Sequence, residues 1–268
     1  MTLLKKIGGM CLLVGISSHC SAQNSLFIGA GIQDFSLTEK DLYSGQQLVK
    51  EQGTIPTIIY GLDWPINPKF HLQGQVQQSY GVIPYDGQTQ SGIPHQSNTT
   101  HFLTQGMASV GFLPIKESEI YLGLHGQENI RNVANKNNVY GATETYDEFF
   151  AKVGLRQQLI KTARQQLHIW GEIHELLYAQ SLVDSRVSDD VTLGLKKGKA
   201  QAWGFDYLYH YNQKTDWFIK STSFSHHYRK STVADKTING QLTNYYIYQP
   251  PINFEQKSLY IGLAWRFD

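Results

Sequence analysis

Several side chains near the ends of alternating apolar segments have the chemistry for acid, base or nucleophilic work: His101, Glu128, Asp147, Glu148, Ser225, His226 and His227. A hydroxyl, an imidazole and a carboxylate within hydrogen-bond reach form the relay that activates a serine for hydrolysis. A carboxylate paired with an imidazole can equally activate water. The stretch SFSHHYRKS sets Ser225 directly before His226 and His227, beside a polar loop. Adjacent side chains in an extended segment leave on opposite faces, so Ser225 and His226 cannot pair with each other, nor can His226 and His227 clasp one ion. His168 and His174 share a face but stand too far apart along a strand to ligate a metal unaided. The sequence therefore predicts no metal site and no cofactor, and catalysis would need His101, Glu148, Ser225 or His226 to meet partners from elsewhere in the chain.

What must position these residues is a series of strands. Alternating segments occur at approximately 25–36, 52–65, 69–83, 98–113, 119–131, 145–160, 165–182, 200–212, 216–229 and 257–267. Short polar turns lie at Asn67-Pro68, Lys116–Glu119, Lys161–Gln165 and Asn212–Asp216, and long polar loops separate them at 36–51, 84–97, 132–144, 183–199 and 230–256. Short and long connections alternate. An even number of antiparallel strands with short turns at one end and long loops at the other is the pattern of a closed barrel that crosses a membrane.

Composition agrees. The chain has 268 residues with 24 Gly, 16 Tyr, 12 Phe and only 8 Pro, which favours strands. Residues 1–22 carry Lys5 and Lys6, an apolar run to about Ile16, and a small-residue site at Cys20-Ser21-Ala22. That is the pattern of a secretory signal peptide, too short in its apolar run for the roughly 18 residues of a spanning helix. The predicted mature chain, 23–268, then contains no cysteine, because Cys11 and Cys20 both precede it. Its 21 basic and 22 acidic residues nearly cancel, so no nucleic-acid footprint is expected. Beyond the signal, apolar runs are short, and mean hydropathy over the whole chain is −0.35, which leaves a barrel as the way to enter a bilayer with every backbone group bonded.

Tryptophan placement is expected to mark the two membrane interfaces. Trp64, Trp170, Trp217 and Trp265 lie near the short turns or the C-terminal end, and Trp203 is assigned to the opposite girdle, followed on its face by Phe205, Tyr207, Tyr209 and Tyr211. The closing stretch SLYIGLAWRFD carries Tyr260, Gly262, Trp265 and Phe267 in alternation. It resembles the C-terminal assembly signal of bacterial outer-membrane β-barrels, departing from it in ending on Asp268. The resemblance extends over the mature chain and implies an all-β, ten-stranded transmembrane barrel with periplasmic short turns and extracellular loops. It further implies residence in the Gram-negative outer membrane among lipopolysaccharide and phospholipid, with the barrel-assembly machinery engaging the last strand.

If the apolar parity faces lipid, the other parity lines the lumen with Glu148, Lys152, Arg156, Glu172, His174, Asp206, His210, Lys220 and Arg266. Buried charges at that density must pair, so a polar, salt-bridged lumen is predicted, in a barrel too small for an open aqueous channel. The expected role is a monomeric structural or surface-binding protein whose loops meet an extracellular ligand, or a narrow pore of low conductance. The rival is a hydrolase at the loop end, since ten-strand barrels include the omptin proteases and smaller ones include lipid A-modifying hydrolases. No residue-by-residue match to either family is found. A secreted soluble β-barrel would leave the aromatic outer face unexplained.

Overall fold

Strand-forming alternation persists further along the chain than the sequence pattern predicts, and the architecture follows from it. The structure, a computed structural model, describes residues 24–88, 92–115, 117–136, 139–185, 188–196 and 198–267. The predicted signal peptide and Asp268 lie outside these residues. The strands are β1 (Asn24–Lys40), β2 (Gln47–Asn67), β3 (Phe70–Gln88), β4 (Pro94–Ile115), β5 (Ser118–Val133), β6 (Ala142–Lys161), β7 (Gln165–Ser185), β8 (Val191–Gly194), β9 (Ala200–His210), β10 (Thr215–Tyr228), β11 (Ala234–Ile238), β12 (Gln241–Ile247) and β13 (Ile252–Phe267).

Ten of these close into one antiparallel barrel in the order β6-β5-β4-β3-β2-β1-β13-β10-β9-β7, with β6 pairing β7 to complete the ring. Closure removes the unpaired edges that an open sheet would carry. The two ends of the chain meet at the seam, where Asn24 lies opposite Phe267 and Ile32 opposite Leu259. Three of the short turns are sealed by a side chain. Asn67 Oδ1 accepts from the amides of Lys69 and Phe70, Thr162 Oγ1 from Arg164 and Gln165, and Asn212 Oδ1 from Lys214 and Thr215. These local bonds satisfy amides that a tight reversal strips from the ladder.

All ten expected barrel strands are present, but the long loops are shorter than predicted because the strands run on. Within the 229–251 connection a further hairpin forms, β11 with β12. Its turn is Asn239-Gly240, both at positive φ (53° and 74°), the pair that favours a two-residue hairpin. Strand β8 pairs with Gln180–Val183 of β7, above the point where β9 leaves that strand at His174, and so covers an edge that would otherwise stay open. Asp189 ties the two insertions together. Its amide donates to Thr237 O, and its carboxylate accepts from the amides of Asn239 and Gly240 at 3.0 and 2.8 Å. Those bonds, led by the one from Gly240, hold the Asp189 carboxyl below its ordinary range. Asp41, in the β1–β2 loop, is likewise held down by Ser44 and Tyr43.

On the outer wall, Leu26, Ile28 and Ile32 of β1, Ile58, Tyr60 and Leu62 of β2, and Leu259 and Ile261 of β13 are exposed side by side. Continuing β1 on the same parity gives Asp34, Ser36 and Thr38. The apolar band thus occupies the half nearest the short turns, and the strands extend beyond it toward the loops.

Candidate functional site

The inward parity carries the chemistry. Near the short turns, Arg156 donates to Glu119 Oε2 at 3.1 Å and to Gln73 Oε1 at 2.9 Å, and His71 sits 3.1 Å from Glu119 Oε1. Asp206 stands between Arg156 Nε at 3.9 Å and Lys220 Nζ at 3.7 Å, while Lys220 donates to Gln75 at 2.7 Å. His210 bridges Gln166 and Asp216, and Arg266 reaches the same Asp216 oxygen at 2.8 Å. Deeper in, Lys152, Tyr121 and His174 all converge on Glu172, at 2.7, 2.9 and 2.9 Å. Glu148 accepts from Gln127 at 3.1 Å and has His226 Nε2 at 3.3 Å. Each predicted lumen residue faces inward.

The largest knot of charge lies at the loop end. Arg131, only 2% exposed, donates to Glu51 at 2.8 Å, to Glu39 at 3.2 Å and to Glu144 at 2.5 Å. His101 holds the other Glu51 oxygen at 2.7 Å, and Tyr146 caps Glu144. One guanidinium thereby satisfies three carboxylates, the arrangement its planar fork of donors suits. Sequence reasoning missed this cluster because Glu39, Glu51 and Glu144 fell just outside the predicted strand limits. Their parity was the signal: Glu39 continues the inward series of Phe35 and Leu37, Glu51 follows Val49, and Glu144 precedes Tyr146, each two residues away.

Below this knot the lumen is packed solid. Phe35, Phe150, Phe224, Tyr228 and Phe254 are buried together with His125, His174 and His226 among them, His226 stacking on Phe254 at 4.5 Å and His125 meeting Phe224 edge-on at 4.9 Å. Among the rings, the edge-on Phe150–Phe224 pair at 6.0 Å adds about 0.5–1.5 kcal/mol beyond burial. A chamber of about 70 Å³, lined by Gln75, Met107, Lys152, Glu172 and Lys220, holds space for a few waters beneath. Beyond it, sharing Gln73, Arg156 and Lys220 in its lining, lies a vestibule of about 430 Å³ at the short-turn end, also lined by Asp63, His71, Glu119, His168 and Asp206.

The loop-end candidates do not converge into an accessible set. His101 and Glu148 are fully buried and His226 nearly so, each engaged by the packed interior. Ser225 shares the outward parity of Trp217 and Ile219 and points away from His226, and His227 also faces outward, bonded to Asn253. Glu128 and Asp147 face outward too, opposite one another on β5 and β6. No group of three or more His, Cys, Asp or Glu suited to a metal occurs among the described residues.

The tryptophans divide. Trp64, Trp217 and Trp265 are exposed on the outer wall near the short turns, and Trp203 is exposed beside Ser223, level with Lys257 in the register. Trp170 corrects the girdle assignment: it points inward, against the buried core, with its indole lying over Gly204. A Cβ at Gly204 would fall 2.6 Å from Trp170 Cζ2, so this glycine makes the room for the ring. The parity that puts His168 and Glu172 inside puts Trp170 there as well. Tyr260 and Gly262 have inward parity, whereas Trp265 and Phe267 face outward.

No known family model matches the chain, and no curated protein matches it in sequence. Among solved structures, the outer membrane protease OmpT from Escherichia coli aligns over 94% of this chain and 99% of its own, with a TM-score of 0.67 and 10% identity. The translocator domain of the autotransporter NalP from Neisseria meningitidis aligns over 93% and 90%, with a TM-score of 0.47 and 10% identity. The P. putida toluene transporter TodX aligns over 92% and 91%, with a TM-score of 0.36 and 9% identity. With the closed ten-strand ring, the likeness to the first of these establishes the fold, the closed antiparallel barrel found in bacterial outer-membrane proteins.

Proposed function

We propose that the chain is a monomeric outer-membrane protein of a Gram-negative bacterium, exported by its N-terminal signal peptide, whose barrel is a closed pedestal for the loops that contact an extracellular ligand. The observation that carries this reading is the filled loop half of the lumen, where the Arg131 knot sits on an aromatic plug. A rigid, sealed wall suits presentation and does not suit passage. Outer-leaflet lipopolysaccharide and phospholipid would surround the apolar band, and the barrel-assembly machinery would engage β13 through Trp265 and Phe267. A narrow pore would need the plug to part. A loop-end hydrolase, the activity in the name of one structural neighbour, would need side chains that solvent can reach, and His101, Glu148 and His226 are sealed.

The absence of cysteine after Cys20 allows single thiols to report orientation. Tyr43→Cys in the β1–β2 loop should react with a membrane-impermeant maleimide on intact cells, and Ala163→Cys in the β6–β7 turn only after the outer membrane is permeabilised. Reversed labelling would mean that the loops do not face the exterior, and the pedestal reading would fall.

A further inference from the structure

The outer wall carries a charge pair that neither lipid contact nor the lumen network accounts for. Glu128 and Asp147 are direct cross-strand partners, on the parity of exposed Leu122 and Leu124 of β5 and of Val153 and Leu155 of β6. Each is nevertheless only 8% exposed. Glu128 Oε1 and Asp147 Oδ1 are both shielded from solvent and have no hydrogen-bond partner. The same face brings Thr104 of β4 opposite Glu128 and Gln180 of β7 opposite Asp147, with Gln180 Nε2 donating to Asp147 Oδ2 at 3.1 Å. Along the strands the quartet is bounded by Phe102, Ile130 and Leu182 on the loop side and by Leu124, Phe149 and Tyr178 on the turn side.

Like charges set directly opposite on a sheet face repel, and a shielded carboxylate oxygen without a donor is costly. The buried lumen carboxylates Glu51, Glu119, Glu148, Glu172 and Asp216 are met by Arg, Lys or His; this outward pair has no such counter-charge among the described residues. Two carboxylates set directly opposite one another beside the Thr104 hydroxyl offer oxygen donors, which hard cations prefer, and no imidazole or thiol for softer metals.

We propose that Glu128 and Asp147 bind one hard divalent cation, Ca²⁺ or Mg²⁺, on the outer wall of the barrel, with the Thr104 hydroxyl as a flanking oxygen donor, Gln180 holding Asp147 Oδ2 through its amide nitrogen, and the remaining positions filled from outside the protein. The sequence reading expects no metal. Histidine spacing along a strand carries no sign of two carboxylates that meet across strands.

Manganese serves as the probe. The folded, metal-stripped chain in detergent should bind one Mn²⁺ per molecule by electron paramagnetic resonance, Ca²⁺ should displace it, and the E128Q/D147N double variant should bind at least tenfold more weakly. Millimolar Ca²⁺ should also raise the temperature at which the folded gel band is lost by about 2–4 °C in the parent chain and leave the variant unmoved. If the double variant fails to fold, the parent stoichiometry and the single E128Q variant decide. Absence of bound Mn²⁺ on the folded parent chain, or equal binding by the variant, would overturn the site. So would a parent chain indifferent to Ca²⁺ but stabilised by acid, because the pair would then share a proton instead of holding a metal.

Discussion

At the scale of single residues, the wall separates two kinds of tolerance. Ile261 is 57% exposed on the outer face, opposite Ala30 and Ile219, while Ala264 is buried on the inner parity beside the vestibule. Ile261→Arg should destabilise the folded barrel by about 2–4 kcal/mol in a bilayer, where a charge meets hydrocarbon, and Ala264→Ser should have little effect. Equilibrium unfolding in lipid vesicles checks this, and equal sensitivity at the two positions would reverse the assigned facing. Arg131 poses the opposite case, a charge whose removal strands others. Arg131→Met leaves Glu39, Glu51 and Glu144 without their shared cation and should cost about 3–5 kcal/mol, read in the same unfolding experiment. A loss below 1 kcal/mol would mean that the knot contributes nothing as a unit.

Elements show how far the sequence could be read. Alternation located all ten barrel strands and the inward set from Glu148 to Arg266, because a period of two is fixed by backbone geometry alone. It stopped short at the loop ends, where Glu39, Glu51 and Glu144 look like loop residues until the Arg131 they surround comes from a distant strand. Trp170 lies near a turn, yet its shared parity with His168 and Glu172 places it inside. The β11–β12 hairpin announced itself in Asn239-Gly240, but a polar stretch between long strands gave it no core to suggest. That hairpin is anchored by Asp189, and its pH response follows from sign. A carboxyl held below its unfolded value stabilises above that value, and the contribution is lost as pH falls through the folded one. Amide exchange at Asn239 and Gly240 should therefore stay slow from neutral pH down to the ordinary carboxylate range and accelerate only in stronger acid, after correction for intrinsic rates. In Asp189→Ala it should be fast throughout, and unchanged protection in that variant would show that the anchor lies elsewhere.

For the whole molecule, the decisive property is that the interior is filled at one end and hollow at the other. The plug around Phe150, Phe224 and Phe254 belongs to a core packed with buried rings. Folded protein in planar bilayers should accordingly pass little ionic current, whereas stable large channels would mean that the plug opens under native conditions. Truncating Phe150 and Phe224 together to Ala should raise current if packing is what closes the lumen, and an unchanged baseline would assign closure to the Arg131 knot above them.

The vestibule of about 430 Å³ and the seal above it make this barrel a cup and not a tube. A cup equilibrates with one compartment. Ions, protons and small solutes reach Arg156, Asp206 and Lys220 from the short-turn side, so the salt and acidity that those groups experience are set by the fluid on that side, whatever bathes the loops. In the orientation proposed above, the two ends of the molecule live in different solutions: its loops answer to the environment, while its inner charges keep the conditions of the fluid at the short-turn end.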